Sequence, residues 1–273
     1  MFSWQREASV TDTWNPAQYD KFQREREQPF YDLLAMIRPS PGMRVVDLGC
    51  GTGKLTRQLH ARLAARETLG IDRSARMLAE QQNEPPVVGL SFTVGTVESF
   101  LDGEGMYDLL FSNAVFHWIE DHERLLGRLA DRLAPGGQLA FQVPYMHDEA
   151  SHLAADELSG EEPFASALGG WRRARTVLTP DAYARLLFRI GFADPQVRLI
   201  VYPHVLTGRE AVVEWMRGTL LAEYEKRLPP ELFVRFVEAY QASLVPQLES
   251  TRPFFFPFKR VLVSCSKAPA TAF

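Results

Sequence analysis

The residues best suited to do chemistry are Asp47-Leu48-Gly49-Cys50-Gly51-Thr52-Gly53, which close one apolar run and open a helical one. Glycines at such a junction bring backbone N–H groups and a helix N-terminus close to a ligand. A phosphate-gripping P-loop needs four residues between its first glycine and a Gly-Lys pair followed by Ser or Thr. Here three residues separate Gly49 from Gly53-Lys54 and Leu55 follows, so that ligand class is excluded. A nicotinamide or flavin loop wants glycines at its first, third and sixth positions, and the sixth is Lys54, which weakens a dinucleotide reading. What remains is an acidic strand end before alternating glycines, suited to a ligand that carries an ammonium group. Asp72 ends the next apolar run about 19 residues beyond Gly53, where a carboxylate accepts hydrogen bonds from both ribose hydroxyls. Further on, Ser112-Asn113-Ala114 is followed by the polar-aromatic pair His117-Trp118, a candidate contact for cofactor or substrate and equally a packing pair. No Ser/His/Asp or Cys/His arrangement stands out. The six histidines include no i, i+4 pair with a glutamate, and His117 and His122 do not share a helical face, so no metal is expected.

These groups must be held by strands and helices, and the chain alternates accordingly. Strands are predicted at Arg44 onward, 67–72, 90–94, 107–112 and 138–143, with a helix carrying Leu55, Leu59 and Leu63 after the first and one carrying Leu125, Leu126, Leu129 and Leu133 before the fifth. Continuous apolar strands separated by helices imply a parallel sheet covered on both faces. Leu133-Ala134-Pro135-Gly136-Gly137 reads as the turn before the fifth strand. Residues 146–178 read as a cover segment holding one helix. Thr179-Pro180 opens the next helix, Tyr183, Leu186, Leu187 and Ile190 line it, and Gly191 stops it. A sixth strand over 196–202, a helical insertion over 208–250 and a last strand over 254–266 complete a sheet of seven. The sequence is thus expected to form one α/β domain, 1–273, with an N-terminal helical lid (1–35), a ligand-binding half (40–145), and 179–203 with 254–266 as the rest of the sheet.

Composition supports this plan. The 273 residues are 46% hydrophobic and 11% aromatic, enough for a sizeable core and incompatible with disorder over most of the chain. Thirty Lys plus Arg against 34 Asp plus Glu give a charge of −4, not the balance of a polyanion binder, so nucleic acid is not expected as a partner. No apolar run reaches the roughly 18 residues that span a bilayer, and no signal peptide is legible at the start. With two cysteines, Cys50 and Cys265, a disulfide framework is not expected, and a cytoplasmic location is.

The Asp-x-Gly-x-Gly-x-Gly pattern at 47–53 resembles the first motif of the class I S-adenosylmethionine (SAM)-dependent methyltransferases, whose Rossmann-like seven-stranded sheet matches the predicted order of elements. A closer resemblance covers nearly the whole chain. Trp14-Asn15-Pro16, Tyr19, Phe22, Glu25-Arg26 and Pro29, then Ser112-Asn113-Ala114 with Trp118 and Asp121-His122, Gln142-Val143-Pro144, Glu214-Trp215 and Phe256-Pro257 look like the bacterial trans-aconitate 2-methyltransferases. The resemblance implies SAM as cofactor, with Asp47, Gly49, Gly51 and Gly53 along its methionine portion, Asp72 at the ribose, and Cys50, Arg73 and Met77 among the cofactor contacts. It places the small residues of Ser112-Asn113-Ala114 beside the sulfonium and the His117-Trp118 pair at the mouth, with Trp118 among the cofactor contacts, and closes Tyr19 and Arg26 over the cofactor. After the third strand that family usually carries an acidic residue for the adenine amino group; here Gly95-Thr96-Val97-Glu98 puts Thr96 there, beside Val97.

The resemblance also implies methylation of a carboxylate of a small polycarboxylic acid, by direct in-line displacement. A carboxylate is ionised at pH 7 and needs no general base, which agrees with the lack of a catalytic triad. Its non-reacting carboxylates need cationic or hydrogen-bonding anchors. Trp14, His117, Tyr145, His147, Arg172, Arg173, Lys259 and Arg260 are the candidates, with His117 and Tyr145 nearest to a catalytic role. No obligate protein partner and no membrane are expected. A larger apolar or carrier-bound acceptor, and a non-catalytic SAM-binding protein, remain as alternatives.

Overall fold

The computed structural model describes residues 23–269, the side chains of 23–26 and of Gln82 excepted. The lid expected over residues 1–35 therefore falls largely outside the described residues. Its described part is α1 (Gln23–Leu34), whose Phe30 and Leu33 are fully buried against the sheet.

A repeated strand–helix unit follows: β1 (Arg44–Leu48), α2 (Lys54–Leu63), β2 (Glu67–Asp72), α3 (Ala75–Leu78), β3 (Leu90–Val94), α4 (Val97–Asp102), β4 (Tyr107–Asn113), α5 (His122–Asp131) and β5 (Leu133–Pro144). Next come α6 (Ala150–Leu158), α7 (Phe164–Ala167), α8 (Pro180–Ile190), β6 (Phe192–Leu206), α9 (Ala211–Arg217), α10 (Ala222–Glu225), α11 (Pro230–Leu244) and β7 (Phe254–Lys267). The seven strands lie in the order β3-β2-β1-β4-β5-β7-β6. The first five are parallel, as expected of strands joined by crossover helices. β7 runs antiparallel to both β5 and β6, so the sheet is mixed. The reason is local: Leu206 at the end of β6 pairs with Phe254 at the start of β7, and the helical insertion between them returns the chain to the edge it left.

Strand alternation distributes the core. In β4, Leu109 and Phe111 face α1 and α2, while Leu110 joins Leu126, Leu129, Phe141 and Leu187 on the other face. β7 divides lengthwise. Val261, Leu262 and Val263 belong to the sheet core, whereas Phe254, Phe256 and Phe258 join a separate apolar cluster with Trp215, Tyr224, Phe236 and Tyr240 of the insertion. The helical block thus caps the projecting ends of β6 and β7 and the helix α6, and its stripe does not lie on the flat sheet.

Three expectations need correction. Residues 133–137 are not a turn ahead of the fifth strand: β5 already begins at Leu133, and the register slips between Tyr107 and Leu109, with Gly136 at φ 76° absorbing the bulge. The cover segment holds two helices, α6 and α7. The sixth strand is longer than 196–202 because its outer half pairs all the way to Phe254.

The helix α8 forms as its caps dictate. The Thr179 hydroxyl accepts the Ala182 N–H at 3.3 Å and Gly191 ends the helix at φ 95°. Its buried Tyr183 donates its hydroxyl to His122 Nδ1 at 2.6 Å, while His122 Nε2 donates to the Phe116 carbonyl at 2.9 Å. That pair of bonds requires a neutral imidazole, in keeping with burial lowering the His122 pKa. Tyr183→Phe leaves the buried Nδ1 without its donor and is expected to lower unfolding free energy by about 1–3 kcal/mol, read by urea denaturation. No helix among the described residues is long and apolar enough to cross a membrane.

Candidate functional site

The candidate groups gather at the C-terminal ends of the parallel strands, the edge where open α/β sheets bind ligands. Between β1 and α2, Gly49, Gly51 and Gly53 adopt φ of 77°, 58° and 75°, a region that L side chains avoid. The Gly49 and Cys50 N–H groups donate to the Ile71 carbonyl at 2.7 and 3.0 Å, pinning the loop to the end of β2. A Cβ on Gly49 would lie 2.1 Å from Val115 Cγ2, and one on Gly53 would lie 2.5 Å from the Phe92 ring. The loop therefore sits tightly between the exit of β4 and the middle of β3. Gln81 secures it further by donating to the Thr52 carbonyl while accepting from Arg57 Nε at 2.6 Å.

Asp47 is buried. Its Oδ2 accepts the Thr56 hydroxyl at 2.6 Å, and its Oδ1 is sealed from solvent with no partner among the described residues. Burial raises its pKa to about 7, the Thr56 hydrogen bond opposing and the charge of Asp72 adding to the rise. Asp72 accepts the Gly51 N–H on one oxygen at 2.8 Å and the Ser74 N–H on the other at 2.9 Å, so its carboxylate is oriented and half-exposed. Met77 is buried behind Gly51, and Arg73 is exposed. Burial, with Asp47 and Asp72 nearby, pushes the Cys50 thiol well above its usual range, so it is no nucleophile. Cys50 and Cys265 are both free.

This donor set fits SAM. A buried acceptor without a partner suits the ammonium group, the glycines admit a close backbone approach, and Asp72 holds an oriented carboxylate at the end of β2, where such folds take a ribose.

Thr96 sits at the N-cap of α4. Its Oγ1 accepts the Ser99 N–H at 3.1 Å, and the Ser99 hydroxyl accepts the Thr96 N–H at 2.9 Å, a reciprocal capping box. Thr96 and Glu98 are exposed and Val97 is buried in the core. Thr96→Ala is expected to cost about 1 kcal/mol of stability, whereas Thr96→Asp keeps the cap; denaturant midpoints of both variants check this.

At the end of β4, Asn113 accepts from the Gln142 amide at 2.7 Å, Gln142 in turn accepts from Arg260 at 3.0 Å, and Ala114 adopts φ 61°. This chain ties the exits of β4, β5 and β7 together. His117 lies on the short turn that follows, its ring 4.5 Å from that of the exposed Trp118 and its carbonyl held by the Thr176 hydroxyl at 2.7 Å. Burial and the cation of Arg260 lower the His117 pKa to about 3. Tyr145 leaves β5 with its ring 4.5 Å from that of His147.

The cationic candidates are already engaged. Lys259 Nζ contacts Asp148 at 3.0 Å and Glu149 at 2.5 Å. Arg173 pairs with both oxygens of Asp156, and Arg175 shares the same carboxylate. Arg172 is exposed and donates to the Asp156 carbonyl and the Ser159 hydroxyl at the end of α6. Trp14 and Tyr19 lie outside the described residues, as does the side chain of Arg26. Sequence reasoning missed Thr56, Val115, Gln81, Phe92, His152, Asp156 and Arg175. None carries a motif, because each acts by proximity that the fold alone creates. No group of three or more His, Cys, Asp or Glu able to hold a metal occurs among the described residues.

A mixed 3-2-1-4-5-7-6 sheet with a glycine loop after β1 and an oriented aspartate after β2 defines the class I methyltransferase fold. Comparison with known proteins agrees. Residues 19–197 match the family described as a methyltransferase domain. A trans-aconitate 2-methyltransferase of Deinococcus radiodurans is 43% identical over 256 residues, 92% of this chain and 96% of its own length. One of Methylobacterium nodulans is 39% identical over 255 residues, again 92% and 96%. Among solved structures, the YcgJ protein of Bacillus subtilis superposes with a TM-score of 0.58 at 16% identity, over 89% of this chain and all of that one. The chain belongs to the SAM-dependent methyltransferases and, within them, to the trans-aconitate 2-methyltransferase family.

Proposed function

We propose that the protein methylates one carboxylate of trans-aconitate, or of a closely similar small polycarboxylic acid, with SAM as donor, yielding a monomethyl ester. The observation that carries this reading is the 43% identity to a trans-aconitate 2-methyltransferase along nearly the full length of both chains. Bound SAM supplies an electrophilic methyl on a sulfonium, and the chain's own task is orientation and exclusion of water. Alignment of reacting groups alone can contribute about 7–11 kcal/mol to lowering the barrier.

In this reading the whole chain acts as one domain. Asp47 Oδ1 receives the ammonium group, Gly49, Cys50, Gly51 and Gly53 border the methionine portion, and Asp72 takes the ribose with Arg73 and Met77 beside it. Thr96 and Val97 border the adenine, Asn113 and Ala114 lie beside the sulfonium, and Trp118 stands at the mouth. Tyr19 and Arg26 close the site. His117, Tyr145 and His147 face the acceptor, and Lys259 and Arg173 set the local potential through their ion pairs. His117 is neutral, and an ionised acceptor needs no base, so proton transfer is not part of the step.

The test is mass spectrometry of reactions containing SAM and a panel of small acids. A base-labile gain of one methyl on trans-aconitate supports the proposal. Binding of S-adenosylhomocysteine without a product from any acid overturns it in favour of another acceptor or a non-catalytic role.

A further inference from the structure

The turn that leaves β4 is held from two sides. Val115 lies directly against Gly49 of the glycine loop, its Cγ2 2.1 Å from where a Cβ on that glycine would stand. Two residues further on, the His117 carbonyl accepts the Thr176 hydroxyl at 2.7 Å, a bond that spans 59 positions of sequence. The turn is therefore braced between the cofactor loop and the cover segment. It is also strained, because Ala114 and Asp121 at its two ends adopt φ of 61° and 53° without being glycine. Such conformations persist only where the surroundings over-determine them. The ligand-binding half supplies part of that support. The Ala114 N–H donates to the Gln142 carbonyl at 3.0 Å, His122 Nε2 donates to the Phe116 carbonyl at 2.9 Å, and the Trp118 and Ile119 N–H groups close onto the Val115 and Phe116 carbonyls. The Thr176 bond reaches the turn from the opposite side.

Residues 171–178 form neither helix nor strand, yet they are fastened along their length. The Trp171 ring meets that of Tyr224 in α10 edge to face at 5.4 Å, and the Arg227 guanidinium covers Trp171 at 4.1 Å. Arg173 grips both oxygens of Asp156 in α6 at 3.2 and 3.0 Å. Val177 and Leu178 pack on the sheet core. Thr176 is half-buried between these anchorages, so its hydroxyl reaches His117 from a fixed support.

Resting on the methyl-transfer reading, we infer that Thr176 is a positioning residue: through the His117 carbonyl it sets the turn that carries His117 and Trp118 against the cofactor loop, and with it the alignment of acceptor and methyl. A misplacement of about 1 Å can cost about a hundredfold in rate. The glycine loop has ties of its own, to the Ile71 carbonyl and through Gln81, so cofactor affinity does not depend on this bond.

The experiment compares Thr176→Val, which keeps the shape and loses the donor, with Thr176→Ser, which keeps the donor. With trans-aconitate as acceptor, Thr176→Val is expected to lower kcat at least about tenfold while affinity for S-adenosylhomocysteine stays within about threefold. Thr176→Ser is expected to stay within about threefold of the wild type in both. A hydroxyl that only stabilised the fold would lower the thermal midpoint and leave kcat per folded molecule intact, and that result overturns the inference. An equal loss of kcat in Thr176→Ser also overturns it. Amide hydrogen exchange over residues 114–121, read by mass spectrometry, needs no acceptor. It is expected to quicken at least about tenfold in Thr176→Val and to stay unchanged in Thr176→Ser; unchanged exchange in Thr176→Val overturns the inference. Thr176→Ala, which adds no bulk, takes the place of the valine variant should that one not fold. Should the wild type bind S-adenosylhomocysteine yet methylate no small acid, the proposed activity fails, while the exchange rates still decide whether Thr176 holds the turn.

Discussion

Gly49→Ala is expected to weaken S-adenosylhomocysteine binding at least about a hundredfold and to lower stability by about 2–4 kcal/mol. Two costs combine. The residue sits at φ 77°, which strains any residue with a Cβ, and that Cβ would fall 2.1 Å from Val115 Cγ2 and 3.0 Å from Val115 Cβ. Val115 is β-branched and follows Ala114, itself at φ 61°, so it cannot swing aside without moving the turn that carries His117 and Trp118. Strain and collision are separable. Gly42 has a similar φ of 71°, but a Cβ there would meet nothing within 4 Å, so Gly42→Ala is expected to cost only about 1 kcal/mol and to leave ligand affinity unchanged. Val115→Ala in the Gly49→Ala background recovers part of the binding by removing the nearest methyl. Calorimetric titration of these variants beside the wild type checks this; wild-type affinity in Gly49→Ala refutes it.

Asp47→Asn is expected to stabilise the ligand-free protein at pH 8 while weakening ligand binding at least about a hundredfold. The carboxyl's folded pKa of about 7 lies above its ordinary 3.8 because burial outweighs the Thr56 hydrogen bond. Between those values the folded chain holds a proton that the unfolded chain has lost, so stability declines as pH rises from about 4 to about 7. The full penalty, up to about 4 kcal/mol, is present above pH 7. Asparagine has no such penalty and still accepts from Thr56. The stability difference between variant and wild type is expected to be small at pH 4 and to reach about 2–4 kcal/mol at pH 8, read by urea denaturation across pH. Ligand affinity of the wild type should rise through pH 7 as the carboxylate ionises for the ammonium group. Superposable stability curves for the two proteins would refute the account. A buried carboxylate with one unpartnered oxygen is costly to the ligand-free fold and useful to binding, the trade-off common at functional sites.

Much of this architecture is legible from pattern. β1 to β4 begin where the sequence pattern places them, and the central β1 and β4 read as apolar runs because a strand covered on both faces is apolar nearly throughout, whereas β3 at the edge is largely exposed. The helix α8 is readable from Thr179, Pro180 and Gly191, whose capping chemistry is local. The bulged start of β5 is not, since Pro135-Gly136-Gly137 has turn composition and is drawn into the sheet only by pairing with β4. The helical insertion is legible as helices but not as a cap, because what it covers, the aromatic end of β7, lies on the far side of a long-range pairing.

At the site the same division holds. The cofactor loop, Asp72 and the family can be read from the chain as a string, because glycine's backbone freedom and a carboxylate at a strand end are properties of consecutive residues. Which groups stay open to the acceptor is a matter of folding. Arg172, Arg173 and Lys259 look available as letters and are committed to Asp156, Ser159, Asp148 and Glu149 in the fold, while His117, legible as a polar-aromatic neighbour of Trp118, has its Nδ1 sealed from solvent without a partner among the described residues. Pairing and desolvation depend on neighbours distant in sequence, and they set both the charge and the hydrogen-bonding capacity that a ligand meets.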